Sequence, residues 1–108
     1  MIPVCEPLLT GKELEYVTDC LKTNWISSAG KYIAEFEKGF AAYCGSKQGI
    51  TTTSGTTALH LALAALGIGK GDEVIIPTLT MAACAFSVVY TGPKPVVVDS
   101  ESHTRTMA

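Results

Sequence analysis

Glu73-Val74-Ile75-Ile76-Pro77, an apolar helix pattern over Thr80–Tyr90, and Pro95-Val96-Val97-Val98-Asp99 together decide the fold. Both strand candidates are short, almost uninterrupted Val/Ile runs. Such runs suit a parallel sheet covered on both faces, whereas a half-exposed strand would alternate. The turn Thr91-Gly92-Pro93-Lys94 lies between the helix and the second run. Upstream, Gln48–Thr53 is a further β-branched strand candidate, and Thr57–Leu66 is a helix apolar nearly all round, expected to be buried on most sides. Gly67-Ile68-Gly69-Lys70-Gly71-Asp72 is a glycine-rich turn. The order reads βαβαβ, with right-handed crossovers.

Two helices precede this unit. Thr10-Gly11-Lys12-Glu13 fits a capping box, and Leu14, Val17 and Leu21 then recur at helical spacing. That helix ends near Thr23-Asn24. The second spans about Tyr32 to Tyr43, with Ile33, Phe36, Phe40 and Tyr43 on one face and Gly45 as its left-handed cap. The charged residues of the first helix, Lys12, Glu13, Glu15, Asp19 and Lys22, read as its solvated face. Three parallel strands leave a sheet unfinished, so the chain is expected to be the N-terminal part of a longer protein.

Composition narrows the function classes. The 108 residues carry eight Lys+Arg and ten Asp+Glu, a net charge of −2, which lacks the basic excess of a nucleic-acid binder. With 47% apolar residues the chain is too hydrophobic for disorder, yet no apolar run approaches membrane-spanning length. Met1–Pro7 has neither the basic nor the apolar region of a signal peptide, so a cytoplasmic protein is expected. Cys5, Cys20, Cys44 and Cys84 form no C-x-x-C pair and read as reduced thiols, some of them buried. No metal-ligating cluster and no Ser/His/Asp set stand out. His60 reads as a packed residue of its helix, and His103 has no evident partner.

Chemistry concentrates at Thr51-Thr52-Thr53-Ser54-Gly55-Thr56-Thr57-Ala58-Leu59, where a strand passes through a Ser-Gly-Thr turn into a helix. The first helical amides have no acceptor within the helix, and the dipole makes that end partly positive. Gly55 lets an anion approach the backbone, and the Thr56 and Thr57 hydroxyls would donate to it. Ser54 or Thr56 as a plain N-cap is the competing explanation of the same residues. Neither G-x-G-x-x-G before a helix nor G-x-x-x-x-G-K-[ST] occurs, so dinucleotide and P-loop enzymes are disfavoured. Trp25, in a Ser/Gly-containing link, is either a ligand contact or a packing anchor.

Several stretches in order, Trp25-Ile26-Ser27-Ser28-Ala29-Gly30-Lys31-Tyr32-Ile33, Phe36-Glu37, Ser54–Leu63, Gly69–Pro77 and Gly92–Asp99, resemble the DegT/StrS family of sugar aminotransferases. The resemblance runs from about Ile2 to Asp99. It implies an α/β chain, the first part (1–108) of the large domain of a fold type I, aspartate-aminotransferase-like enzyme dependent on pyridoxal 5'-phosphate (PLP). The implied reaction moves an amino group, from L-glutamate as the expected donor, to a nucleotide-linked keto-deoxysugar. Such amino sugars serve surface polysaccharide or antibiotic glycosides. Gly55, Thr56 and Thr57 would then hold the PLP phosphate. Met81 would pack on the pyridine where the family often places an aromatic ring, and Cys84 and Phe86 stand where small polar residues are usual. Trp25 and Ser27 would lie near the nucleotide-sugar pocket, in the partner's site of a homodimer.

The family's covalently bound lysine and its acidic partner for the pyridine nitrogen fall beyond the third strand. No catalytic residue is therefore expected among the seven lysines here, and residues 1–108 alone should be inactive. A deoxysugar 3-dehydratase relative, in which histidine replaces that lysine, a non-catalytic fragment and a phosphate-binding module are the alternatives.

Overall fold

A computed structural model describes residues 2, 3 and 5–108 in two compact units, 1–51 and 52–108. The parts of the N-terminal reading that rest on Met1 and Val4 lie outside the described residues.

The first unit holds α1 (Glu13–Thr23) and α2 (Lys31–Tyr43). The expected capping box at Thr10 does not form. Lys12 is the N-cap without a side-chain bond, and the Glu13 carboxylate instead accepts from the Gly11 amide at 2.8 Å. Asn24 ends α1 in the left-handed region, φ 60°, with the Trp25 amide reaching back to the Cys20 carbonyl at 3.0 Å. Asn tolerates that conformation because its short polar side chain bonds locally. Gly45, φ 67°, closes α2 as expected, and the Ser46 amide bonds the Ala41 carbonyl at 2.9 Å. The stripe of Leu14, Val17 and Leu21 is exposed, at 81%, 58% and 63%, and so packs no core within this unit. Phe36, Phe40 and Tyr43 stack along α2 with centroids 5.5 and 6.3 Å apart.

Gln48–Thr53 is not a strand. A strand exists only where a neighbour supplies a ladder, and none pairs with it among the described residues. The Thr51 amide and hydroxyl instead donate to one Glu37 oxygen at 2.8 and 2.9 Å. These bonds, the amide's first, hold the Glu37 carboxyl below the usual carboxylate range. A depressed folded pKa stabilises the fold above the unfolded value, and that contribution is lost as pH falls through the folded one. Glu37→Ala is therefore expected to lower the melting temperature at neutral pH, with the deficit shrinking towards acid. Thermal melts over a pH series check this.

The second unit runs α3 (Gly55–Ala65), β1 (Glu73–Pro77), α4 (Ala82–Thr91) and β2 (Lys94–Val98). The observed order is thus αβαβ in place of the expected βαβαβ. β1 and β2 pair in parallel, Glu73 opposite Lys94 through Pro77 opposite Val98, with a Lys94–Glu73 ion pair of 3.1 Å at the entry. Gly67, Gly71 and Gly92 take positive φ where the chain reverses, and the Asp72 carboxylate closes the glycine turn on the Gly69 amide at 2.8 Å. Ile76, Val88 and Pro93 are buried. α3 buries less than its sequence suggests. Thr56, His60 and Leu63 are half-buried, whereas Leu59, Leu61 and Leu66 stay exposed. The four cysteines are unpaired, two exposed and two half-buried, so none is buried as expected.

Candidate functional site

Ser54 has extended backbone and ends the approach to α3. Its hydroxyl accepts from the Thr57 amide at 3.3 Å, while the Thr57 hydroxyl contacts the Ser54 amide at 3.0 Å and donates to the Ser54 carbonyl at 2.8 Å. The cap and the anion-ready end therefore coexist. The cap uses the Thr57 amide and hydroxyl, so the Thr57 hydroxyl, expected to donate to an anion, donates to the Ser54 carbonyl instead, and the Gly55 and Thr56 amides are left without an intrahelical acceptor. Apart from its chain neighbours and the backbone of its own helix, no heavy atom lies within 4 Å of where a Cβ on Gly55 would stand, so the space beside this residue is open.

α4 and α3 run in the same direction. The Ser87 hydroxyl bonds the Thr56 carbonyl at 3.0 Å, and one turn further along both helices His60 and Tyr90 approach with ring centroids 6.1 Å apart. The N-terminal ends of both helices therefore share one end of the pair. α4 begins there at Met81, its N-cap, which is 77% exposed. The same end carries the C-terminal edge of the sheet. There Thr78 donates its amide to the Val98 carbonyl at 2.9 Å, and Leu79 donates its amide to the Ser100 hydroxyl at 3.3 Å. Ligands of open parallel sheets bind at that edge. Asp99 accepts from the Ser100 amide at 2.8 Å.

In the first unit, Trp25 and Ser27 line one cavity of about 240 Å³ with Asp19, Lys31 and Tyr32. Asp19 is not simply a solvated charge. It pairs with Lys31 at 2.7 Å and accepts from the Tyr32 hydroxyl at 2.9 Å. The Lys31 bond, then the Tyr32 bond, draw the Asp19 carboxyl below its ordinary value; Lys31 is raised by the same contact, and Tyr32 by desolvation first. Helical periodicity could not reveal this cluster, because it depends on the turn at Asn24. Neither could it reveal Ser87, one hydroxyl in an apolar helix. Among the described residues, no three His, Cys, Asp or Glu side chains gather to hold a metal. Among the described residues, no helix is long and apolar enough to cross a membrane.

The sequence profile of the DegT/DnrJ/EryC1/StrS aminotransferase family matches residues 7–108. The chain belongs to this family. Within it, GDP-perosamine synthase of Caulobacter vibrioides is 57% identical over 103 residues, 95% of this chain and 28% of that protein. GDP-perosamine synthase of Escherichia coli O157:H7 is 53% identical over 107 residues, 99% of this chain and 29% of that one. A solved structure assigned as a sugar aminotransferase, Spr1654 from Streptococcus pneumoniae in its PMP form, superposes with a TM-score of 0.85 at 35% identity, covering 98% of this chain and 26% of its own. The same protein is solved in a PLP form. The chain thus spans a little over a quarter of the length of the curated relatives it matches. The fold expectation holds: α/β, parallel strands, fold type I neighbours.

Proposed function

We propose that the intact protein is a cytoplasmic, homodimeric, PLP-dependent aminotransferase of nucleotide-linked keto-deoxysugars, with residues 1–108 as the first segment of its large domain. The observation that carries this reading is the 57% identity to a GDP-perosamine synthase across nearly the whole chain. That relative's name makes a GDP-linked sugar the expected amino acceptor; L-glutamate as donor and surface polysaccharide as destination belong to the same proposal.

The residues at the end of α3 fit the cofactor's phosphate. They offer two free amides, the Thr56 hydroxyl, an open approach over Gly55 and the positive end of a helix. Thr57 holds the turn in shape through Ser54, and Met81 gives the pyridine a polarisable thioether to pack on. Bound PLP supplies the electron sink through which amino groups are exchanged. Gly55 and Thr56 bind and orient its phosphate end. Trp25 and Ser27 are assigned to the nucleotide-sugar side, in the partner's site.

The test is absorbance of the purified intact protein with PLP, followed by incubation with a GDP-linked 4-keto-6-deoxysugar and L-glutamate. Formation of GDP-amino sugar with 2-oxoglutarate is expected. Loss of water from the sugar without amination would overturn the reading in favour of a 3-dehydratase. Absence of PLP binding would overturn it altogether.

A further inference from the structure

Ser87 is the one buried polar side chain among the described residues, at 1% exposure. It sits in α4 between Phe86 and Val88, where packing alone would favour an apolar residue. Its hydroxyl proton is shared between two carbonyls, Ala83 of its own helix at 2.6 Å and Thr56 in the first turn of α3 at 3.0 Å. The first is the local bond that a helical serine makes anyway. The second spans 31 residues and ties the two helices together. It lands one residue from Gly55. Along α4, Met81 lies six residues from Ser87, about 9 Å at the helical rise.

We propose that Ser87 is a positioning residue for the cofactor: by holding the Thr56 carbonyl, it fixes the phosphate-binding turn of α3 against the helix that begins at Met81. The inference rests on the PLP reading above. The cofactor's phosphate hangs from its ring by one short CH2–O arm, which turns but bounds the distance between them, so the group that takes the phosphate and the group that packs on the ring must stay within a narrow range of separation. Neither group sets that separation alone. Gly55 and Thr56 belong to α3, Met81 belongs to α4, and the Ser87–Thr56 bond is the polar link between these helices near their shared end. Losing it leaves the Thr56 carbonyl its intrahelical partner only, and side-chain packing alone then sets where α3 lies along α4.

The test compares the intact protein with Ser87→Ala and Val88→Ala, titrating each with PLP and with pyridoxal, which lacks the phosphate, and recording the melting temperature. Alanine at 87 removes one oxygen and is the best helix former, so folding is retained. Ser87→Ala is expected to weaken PLP binding roughly tenfold, the scale of one lost hydrogen bond, with pyridoxal binding unchanged. Val88→Ala, which thins the packing beside Ser87, is expected to lower the melting temperature and keep the PLP-to-pyridoxal preference. The inference is overturned if Ser87→Ala keeps the parental preference, or if Val88→Ala loses as much of it. A parent protein with no preference for PLP over pyridoxal would instead overturn the underlying phosphate assignment.

Discussion

Gly55→Asp is expected to make the protein harder to unfold and unable to retain PLP. Gly55 is the first residue of α3, and beyond its chain neighbours and its own helix backbone no heavy atom lies within 4 Å of the position its Cβ would take. The new side chain therefore fits the folded protein. It also replaces the residue most costly to order in a helix and sets a carboxylate at the positive end of the dipole. Together these favour folding by about 0.5–1 kcal/mol. The same carboxylate fills the open approach and opposes the phosphate's charge, and affinity is expected to fall about 100-fold or more, near 3 kcal/mol. Urea unfolding and PLP titration of one preparation check both halves. Unchanged affinity would place the phosphate elsewhere.

Gly49→Ala is expected to destabilise the first unit by about 2 kcal/mol, the scale of overpacking. A Cβ there would stand 2.8 Å from the Glu37 carbonyl oxygen, with the Glu37 carbonyl carbon and Cα both at 3.5 Å. These are backbone atoms of α2, so relief requires moving the helix, and Glu37 cannot move without disturbing its two bonds to Thr51. Gly39→Ala is the matched control. It lies inside the same helix with nothing within 4 Å of its Cβ position, and it is expected to gain up to about 1 kcal/mol from helix propensity. The shift in urea midpoint of each variant measures the contrast. Equal shifts would mean that the close approach of Gly49 to α2 carries no energetic weight.

Local patterns carried much of this fold. β1 occupies the residues expected of it, Asn24 and Gly45 end their helices, and the glycine turn falls between α3 and β1. Those features depend on nearest neighbours along the chain. The failures depend on distant ones. Gln48–Thr53 has strand composition, but composition provides no ladder, and Thr51 gave its amide to a carboxylate 14 residues away. The capping box at Thr10 was matched by residue type, yet Glu13 turned to the Gly11 amide. At the α3 terminus, the cap and the anion site were rival explanations of the same residues. Thr57 makes the cap and leaves the Gly55 and Thr56 amides over, so the two explanations do not draw on the same amides. Asp19 was legible only as a charge on a helix surface, because its partners, Lys31 and Tyr32, reach it through a change of chain direction.

The reciprocal bonds between Ser54 and Thr57 also bear on the speed of cofactor capture. They hold the first turn of α3 closed by themselves, so under the proposed assignment an arriving phosphate would meet amides already aligned and have no loop to order. On the proposed reading, the initial encounter with the apoprotein should then rise in proportion to cofactor concentration, with no plateau set by a prior rearrangement of this turn, ahead of any covalent step at the lysine.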